Sequence, residues 1–175
     1  MATGPTYRVD YRRKREQKTS YKNRMRILKA GLPRLIVRPS NKHLFAQIVT
    51  YQEDGDVAVV TVKSTELKKY GWKHATGNVP AAYLTGLLCG LSARKKNIEE
   101  AILDLGMNTS VHGSRIYAAL KGALDGGLKI SHDEKMLPSD DRIKGVHIAS
   151  YVSKSKGITQ DVLKVRESIE NEFRR

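Results

Sequence analysis

Positive charge is spread unevenly along this chain, and the unevenness limits where a core can be built. The first thirty residues hold ten basic side chains, Arg8, Arg12, Arg13, Lys14, Arg15, Lys18, Lys22, Arg24, Arg26 and Lys29, against only Asp10 and Glu16. They carry eight of the formal +14 charges of the whole chain. Such a block repels itself and offers too little apolar surface to fold alone, so it reads as an extended arm that orders on a polyanion. Tyr7, Tyr11 and Tyr21 interleave with the cations. Guanidinium forks grip phosphates and aromatic rings stack on bases, a combination that suits structured nucleic acid better than a lipid surface. The plainer reading of the same residues is a solvated basic tail with no fixed partner.

The globular part must come from the rest of the 175 residues, a length that supports one domain with appendages. That remainder is also net basic, so it extends the positive surface of the arm. A pI near 9.9 points to a polyanionic partner. Cys89 is the sole cysteine and lies in an apolar run, which leaves no disulfide framework or thiolate cluster and suggests a buried structural thiol. The longest apolar stretch, residues 81–91, falls well short of the roughly 20 residues that span a bilayer. The N-terminus lacks the apolar core of a secretory signal, and the expectation is a soluble, cytoplasmic protein with no membrane partner.

Hydrophobic periodicity organises the chain. Thr19 or Ser20 can cap a short helix that runs to Ala30 and stops at Gly31, with Met25 and Leu28 on its apolar side. Residues 34–38, 43–51 and 57–63 are strands rich in Val, Ile and Thr, with Asp54-Gly55 as a hairpin signal and residues 39–42 as a polar, basic turn. Residues 64–78 read as an irregular loop carrying Lys68, Lys69, Trp72 and Lys73. Trp72 suits a stacking platform there and suits the core equally well.

A helix follows over residues 79–96, started by Asn78 and Pro80, with Leu84, Leu87, Leu88 and Leu91 as its core stripe. Ala82, Gly86 and Gly90 recur every four residues and allow a close backbone approach to a neighbour. Residues 98–105 are a fourth strand, and residues 115–125 a helix with Ile116, Leu120, Ala123 and Leu124 inward, closed by Gly126-Gly127.

The order β-β-β-α-β-α describes an α/β fold with a mixed sheet, antiparallel at its start and joined by a crossover to the fourth strand. Residues 139–152 and 159–173 read as peripheral helices, the last with Val162, Val165, Ile169 and Phe173 on one side. That helix docks on its own domain or on a partner. The resulting division is a basic arm over residues 1–18, an α/β core over 19–130 and a helical extension over 131–175.

No catalytic set emerges. The chain has no phosphate-binding glycine loop, no dinucleotide fingerprint and no zinc-protease or serine-hydrolase motif. His43, His74, His112, His132 and His147 are scattered singly without the spacing of metal ligands. The expectation is therefore no metal, no cofactor and no small-molecule substrate. At residues 112–115 a His, a Gly and a Ser meet the start of a helix. Gly113, Ser114 and Arg115 suit phosphate docking there, and Ser114 equally suits plain helix capping. A Ser two residues from a His lacks the third orienting group and the oxyanion site that nucleophilic catalysis requires.

Residues 33–43 (PRLIVRPSNKH) with 46–49 (AQIV), 81–87 (AAYLTGL), 113–125 (GSRIYAALKGALD) and 137–145 (LPSDDRIKG) together resemble a known family. It is the 5S-rRNA-binding family of the large ribosomal subunit, universal large-subunit family eighteen. The last block and the C-terminal helix are similar to its archaeal and eukaryotic branch, whose eukaryotic counterpart is large-subunit protein five. The resemblance implies a three-layer α/β core and a basic arm inserted into RNA. It also implies a place in the central protuberance, with 5S rRNA, 23S rRNA and neighbouring large-subunit proteins as partners.

Matched onto this chain, the RNA-contacting segments are the arm (Arg8, Tyr11, Arg12, Arg13, Lys14, Arg15, Lys18, Tyr21, Lys22, Arg24, Arg26) and the turn (Arg38, Ser40, Asn41, Lys42, His43). Lys68, Lys69, Trp72, Gly113, Ser114 and Arg115 complete the candidate set from charge and local chemistry. Other classes remain in view, a nonspecific basic nucleic-acid-binding protein or an RNA-processing enzyme built on His112, Ser114 and Arg115.

Overall fold

The computed structural model describes residues 4–155 and 157–174. Four strands, β1 (Arg34–Pro39), β2 (Leu44–Thr50), β3 (Val57–Lys63) and β4 (Ile102–Asp104), form one sheet in the order β3-β2-β1-β4. β1, β2 and β3 pair antiparallel, and β4 runs parallel to β1, as the β-β-β-α-β-α order anticipates. Alternation along the strands sends Leu35, Val37, Leu44, Ala46, Ile48, Val60 and Val62 to one face, where all are buried. Val60 and Val62 lie opposite Ile48 and Ala46, and a register shift between Ile48 and Val49 takes up the one extra residue of β3 beyond them.

Helices α3 (Val79–Arg94) and α4 (Arg115–Asp125) cover the buried face. Asn78 caps α3 by accepting a hydrogen bond from the Ala81 N–H at 2.9 Å, and Pro80 follows in the first turn. Residues 80–90 of α3 are buried on every side, because a third layer lies behind it. That layer is α7 (Ile158–Arg174), whose Ile158, Val162, Val165 and Ile169 join the same core. The C-terminal helix therefore docks on its own domain, which the sequence left open. The small residues of α3 act as read: a side chain at Gly86 would meet the backbone of Ala119 of α4, and one at Gly90 the backbone of Ala123. Cys89 is buried here and its thiol is pushed up to about 12 by that burial.

Several expectations need correction. Residues 64–78 are not wholly irregular, since Ser64–Tyr70 form a 3-10 helix in which the Glu66 carboxylate accepts from the Lys63 N–H. The fourth strand is short because residues 99–101 pair with Lys129 instead of with β1. The stretch 139–152 is two helices, α5 (Asp140–Lys144) and α6 (Val146–Tyr151), split at Gly145. Gly145 has φ +75° and its α-carbon faces Pro80 and Ile158, so both the backbone and the space select glycine. The arm is not extended throughout: it contains one helical turn, α1 (Arg12–Arg15), ahead of α2 (Tyr21–Leu28). On α2, Met25 is exposed, while Ile27 and Leu28 are half-buried.

A candidate nucleic-acid interface

Residues 5–18 of the arm are all exposed. Its single turn closes with Gln17 at φ +52°, and the Arg13 guanidinium donates to the Thr19 hydroxyl. Local acids neutralise some of the cations: Arg12 and Lys18 share Glu16 at 2.8 Å each, and Lys14 meets Asp10 at 2.6 Å. Hydrogen bonds from Lys18 and then Arg12 hold the Glu16 carboxyl below its usual range. Exposed pairs of this kind are screened by solvent and contribute little, so a phosphate can displace the carboxylate at little cost. Among the described residues Arg8, Arg15, Lys22 and Arg26 have no ion-pair partner. The rings of Tyr11 and Tyr21 lie 5.3 Å apart and tilted by 54°, and Tyr11 is 74% exposed, so one of its faces is open to a base.

The turn between β1 and β2 is held from three sides. The Ser40 hydroxyl donates to the His43 carbonyl and accepts from the His43 N–H. Thr76, from the segment leading into α3, donates to the Lys42 carbonyl at 3.0 Å, so it accepts from Nδ1–H of His43 at 2.9 Å. That sharing makes Nδ1 of His43 the donor in this contact. Arg115, at the start of α4, donates to the Ser40 carbonyl at 2.7 Å and to the Gly77 carbonyl at 3.0 Å. Gly77 lies against Asn41 and Lys42, where a Cβ would approach the Asn41 carbonyl to 2.8 Å. Asn41 and Lys42 project from this frame into solvent. The turn is thus a basic knob held in shape by these hydrogen bonds.

The structure brings the turn and the 113–115 segment together, as Arg115 shows, but it changes the roles of three residues. Arg115 supports the turn and has one guanidinium nitrogen committed to backbone carbonyls. Ser114 occupies the cap position of α4, yet its hydroxyl caps nothing, is buried and has no partner. Neither the capping nor the phosphate reading holds for its side chain. Trp72 is core, not a stacking platform: it is 2% exposed and its indole N–H donates to the Ala75 carbonyl at 3.2 Å. Gly113, at φ +63°, bonds through its N–H to the Met136 carbonyl.

Lys68 and Lys69 are exposed on the 3-10 helix. That helix leaves β3 at the same sheet end as the turn, where the Leu44 N–H donates to the Ser64 hydroxyl. Arg24 is committed on one side to Asp56 at 2.8 Å. Arg38 is bonded to the Asp104 and Val37 carbonyls and still 41% exposed.

Sequence reasoning missed Arg34. It stands in an apolar strand, is 2% exposed, and lies 2.6 Å from Asp56 and 3.2 Å from Asp104. The available signal was an unexplained charge inside a β-run, which has to find acids when it is buried. Thr76 was missed too, and nothing in its local sequence marks it.

Known proteins align with most of the chain. The family of "Ribosomal large subunit proteins 60S L5, and 50S L18" matches residues 5–99 and 92–133. The large ribosomal subunit protein uL18 of Methanoregula boonei is 49% identical over 173 residues, covering 99% of each chain. Those of Haloarcula marismortui and Halobacterium salinarum are 50% and 51% identical over 151 residues, covering 86% of this chain and 81% and 82% of theirs.

Proposed function

Because the chain belongs to the uL18 family of large ribosomal subunit proteins, we propose that it binds 5S rRNA and fastens it to 23S rRNA in the central protuberance. As a member of that family it is a structural, RNA-binding constituent of the large subunit and not an enzyme. Among the described residues no helix is long and apolar enough to cross a membrane.

The observation that carries the reading is the pairing of two unlike basic elements. The arm is solvated and free to wrap, whereas the turn at residues 40–43 is pre-formed by Thr76, His43 and Arg115. A pre-formed knob positions a duplex or loop by shape, and an arm that orders on binding adds phosphate contacts and stacking on unpaired bases. The arm residues from Arg8 to Arg26, with Tyr11 and Tyr21, are assigned to the phosphates and bases of 5S rRNA. Asn41, Lys42, His43, Lys68 and Lys69 form the second contact. Neighbouring proteins of the central protuberance are the protein partners in this reading.

The test is binding of purified protein to 5S rRNA with tRNA and duplex DNA of matched length as competitors. Retention of 5S rRNA against a tenfold excess of either supports the proposal. Equal loss to both competitors would make the protein a nonspecific polyanion clamp and refute the 5S assignment.

A further inference from the structure

Helix α2 carries the arm but has no buried residue, so packing alone does not fix its direction. A polar tether does. Arg24 of α2 meets Asp56 at 2.8 Å, and the other oxygen of Asp56 lies 2.6 Å from the buried Arg34. Arg34 also meets Asp104 at 3.2 Å. Asp104 accepts from the Gly106 N–H and faces Arg38 at 3.5 Å, while Arg38 donates to the Asp104 carbonyl at 2.9 Å. Five side chains of alternating sign thus run from the arm helix, across the sheet face opposite α3 and α4, to the strand end that opens into the basic turn.

We propose that the chain Arg24–Asp56–Arg34–Asp104–Arg38 is a positioning device that holds helix α2, the base from which the solvated arm extends, and the turn in one fixed geometry, so that a single RNA meets both. The inference rests on the RNA-binding role above and deepens it. An ion chain whose centre, Arg34 with Asp104, is buried adds little stability over apolar residues of equal volume, because desolvation offsets the attraction; what it supplies is a defined geometry. Arg34 is the centre, since its guanidinium engages both carboxylates at once and an ammonium would not. Asp56 is the hinge point. Burial pushes its carboxyl up, and the guanidinium groups of Arg34 and then Arg24 beside it more than offset this, leaving it below its usual range and charged at neutral pH. Gly106 belongs to the same design: a Cβ there would lie 2.6 Å from the Arg38 guanidinium, so glycine leaves that fork its place.

The experiment uses the full chain. Spin labels at Asn23→Cys on α2 and Thr61→Cys on β3 report the placement of α2 by pulsed electron resonance in the absence of RNA. The buried Cys89 stays unlabelled. Asp56→Asn is expected to broaden a narrow distance distribution, and Asp56→Glu to restore it. Binding to 5S rRNA is then measured, without labels, for four proteins. They are the wild type, Asp56→Asn, a combined Arg12→Ala, Arg13→Ala, Lys14→Ala and Arg15→Ala variant, and the union of the two.

Asp56→Asn is expected to weaken binding about tenfold, the scale of losing pre-organisation at one or two side chains. In the arm variant the same change is expected to cost less than twofold, because the arm it places no longer grips. An unchanged distance distribution, or losses that simply add, would overturn the proposal. If Asp56→Asn melts too low to use, Arg24→Gln breaks only the outer pair and reads the same distance. Failure of the wild type to prefer 5S rRNA over tRNA would refute the 5S assignment alone, since the distances are read without RNA.

Discussion

A methyl group added at Gly86 tests whether the contact between α3 and α4 is as close as the small-residue spacing implies. The Cβ of Gly86→Ala would lie 1.9 Å from the Ala119 carbonyl oxygen and 2.7 Å from its carbon. Ordinary contacts stand at about 3.5 Å, so the two helices must part locally by about 1.5 Å. The obstacle is backbone within a helix, not the end of a flexible side chain, and it cannot swing aside. Gaps of ~0.5–1 Å already forfeit a quarter to a half of each dispersion contact along the seam. Overpacking costs about 1–3 kcal/mol and sometimes more, and the rigid neighbour places this case at or above the upper end. The helix propensity gained by Gly→Ala returns about 1 kcal/mol. The net expectation is a loss of about 2–4 kcal/mol, or a fall in Tm of about 5–15 °C for a domain of this size. Thermal and urea unfolding followed by circular dichroism would measure it. Gly157→Ala serves as the control, since its Cβ meets nothing within 4 Å. A Gly86→Ala protein as stable as the wild type would refute the close-approach argument.

Three further outcomes follow from side-chain positions. Trp72→Phe is expected to leave RNA affinity within twofold while lowering Tm, whereas a stacked base would cost about 1–3 kcal/mol of binding. His147 is held below its usual value, first by burial and then by repulsion from Arg142. Its unfolded form binds protons more readily, so its contribution to stability is complete above the ordinary value near 6.5 and is lost as pH falls through the folded value. His147→Phe should therefore lose less stability than the wild type between neutral pH and pH 5, and equal losses would contradict this. Arg115→Gln removes the guanidinium from the Ser40 carbonyl, and hydrogen exchange at the Ser40 and His43 amides should quicken at least fivefold if the turn depends on it.

Local patterns made the three antiparallel strands, α3, α4 and the α3 contact surface legible, because each rests on alternation, on a leucine stripe or on glycines four apart. The basic arm and the turn were legible from charge. What was not legible depends on residues distant in sequence. The truncation of β4 follows from the pairing of residues 99–101 with Lys129, and the break in the 139–152 helix from the contact of Gly145 with Pro80 and Ile158. Trp72 was ambiguous because a large amphipathic ring serves either role until its burial is known. Ser114 and Arg115 matched a phosphate-docking pattern, but the side chains turn to the protein's own interior and backbone. Arg34 shows the same limit in reverse, since only the fold brings Asp56 and Asp104 to it.

Phosphate contacts by the arm and the turn carry the proposed binding of 5S rRNA. The most direct test is the dependence of that binding on salt, for the wild type and for the variant with alanine at positions 12, 13, 14 and 15. About six to eight neutralised phosphates predict that log affinity falls against log salt with a slope of about −4 to −7. Losing up to four of those contacts should flatten the slope by about 2–3 units. A slope near zero in the wild type, or one that the arm substitutions leave unchanged, would contradict the account.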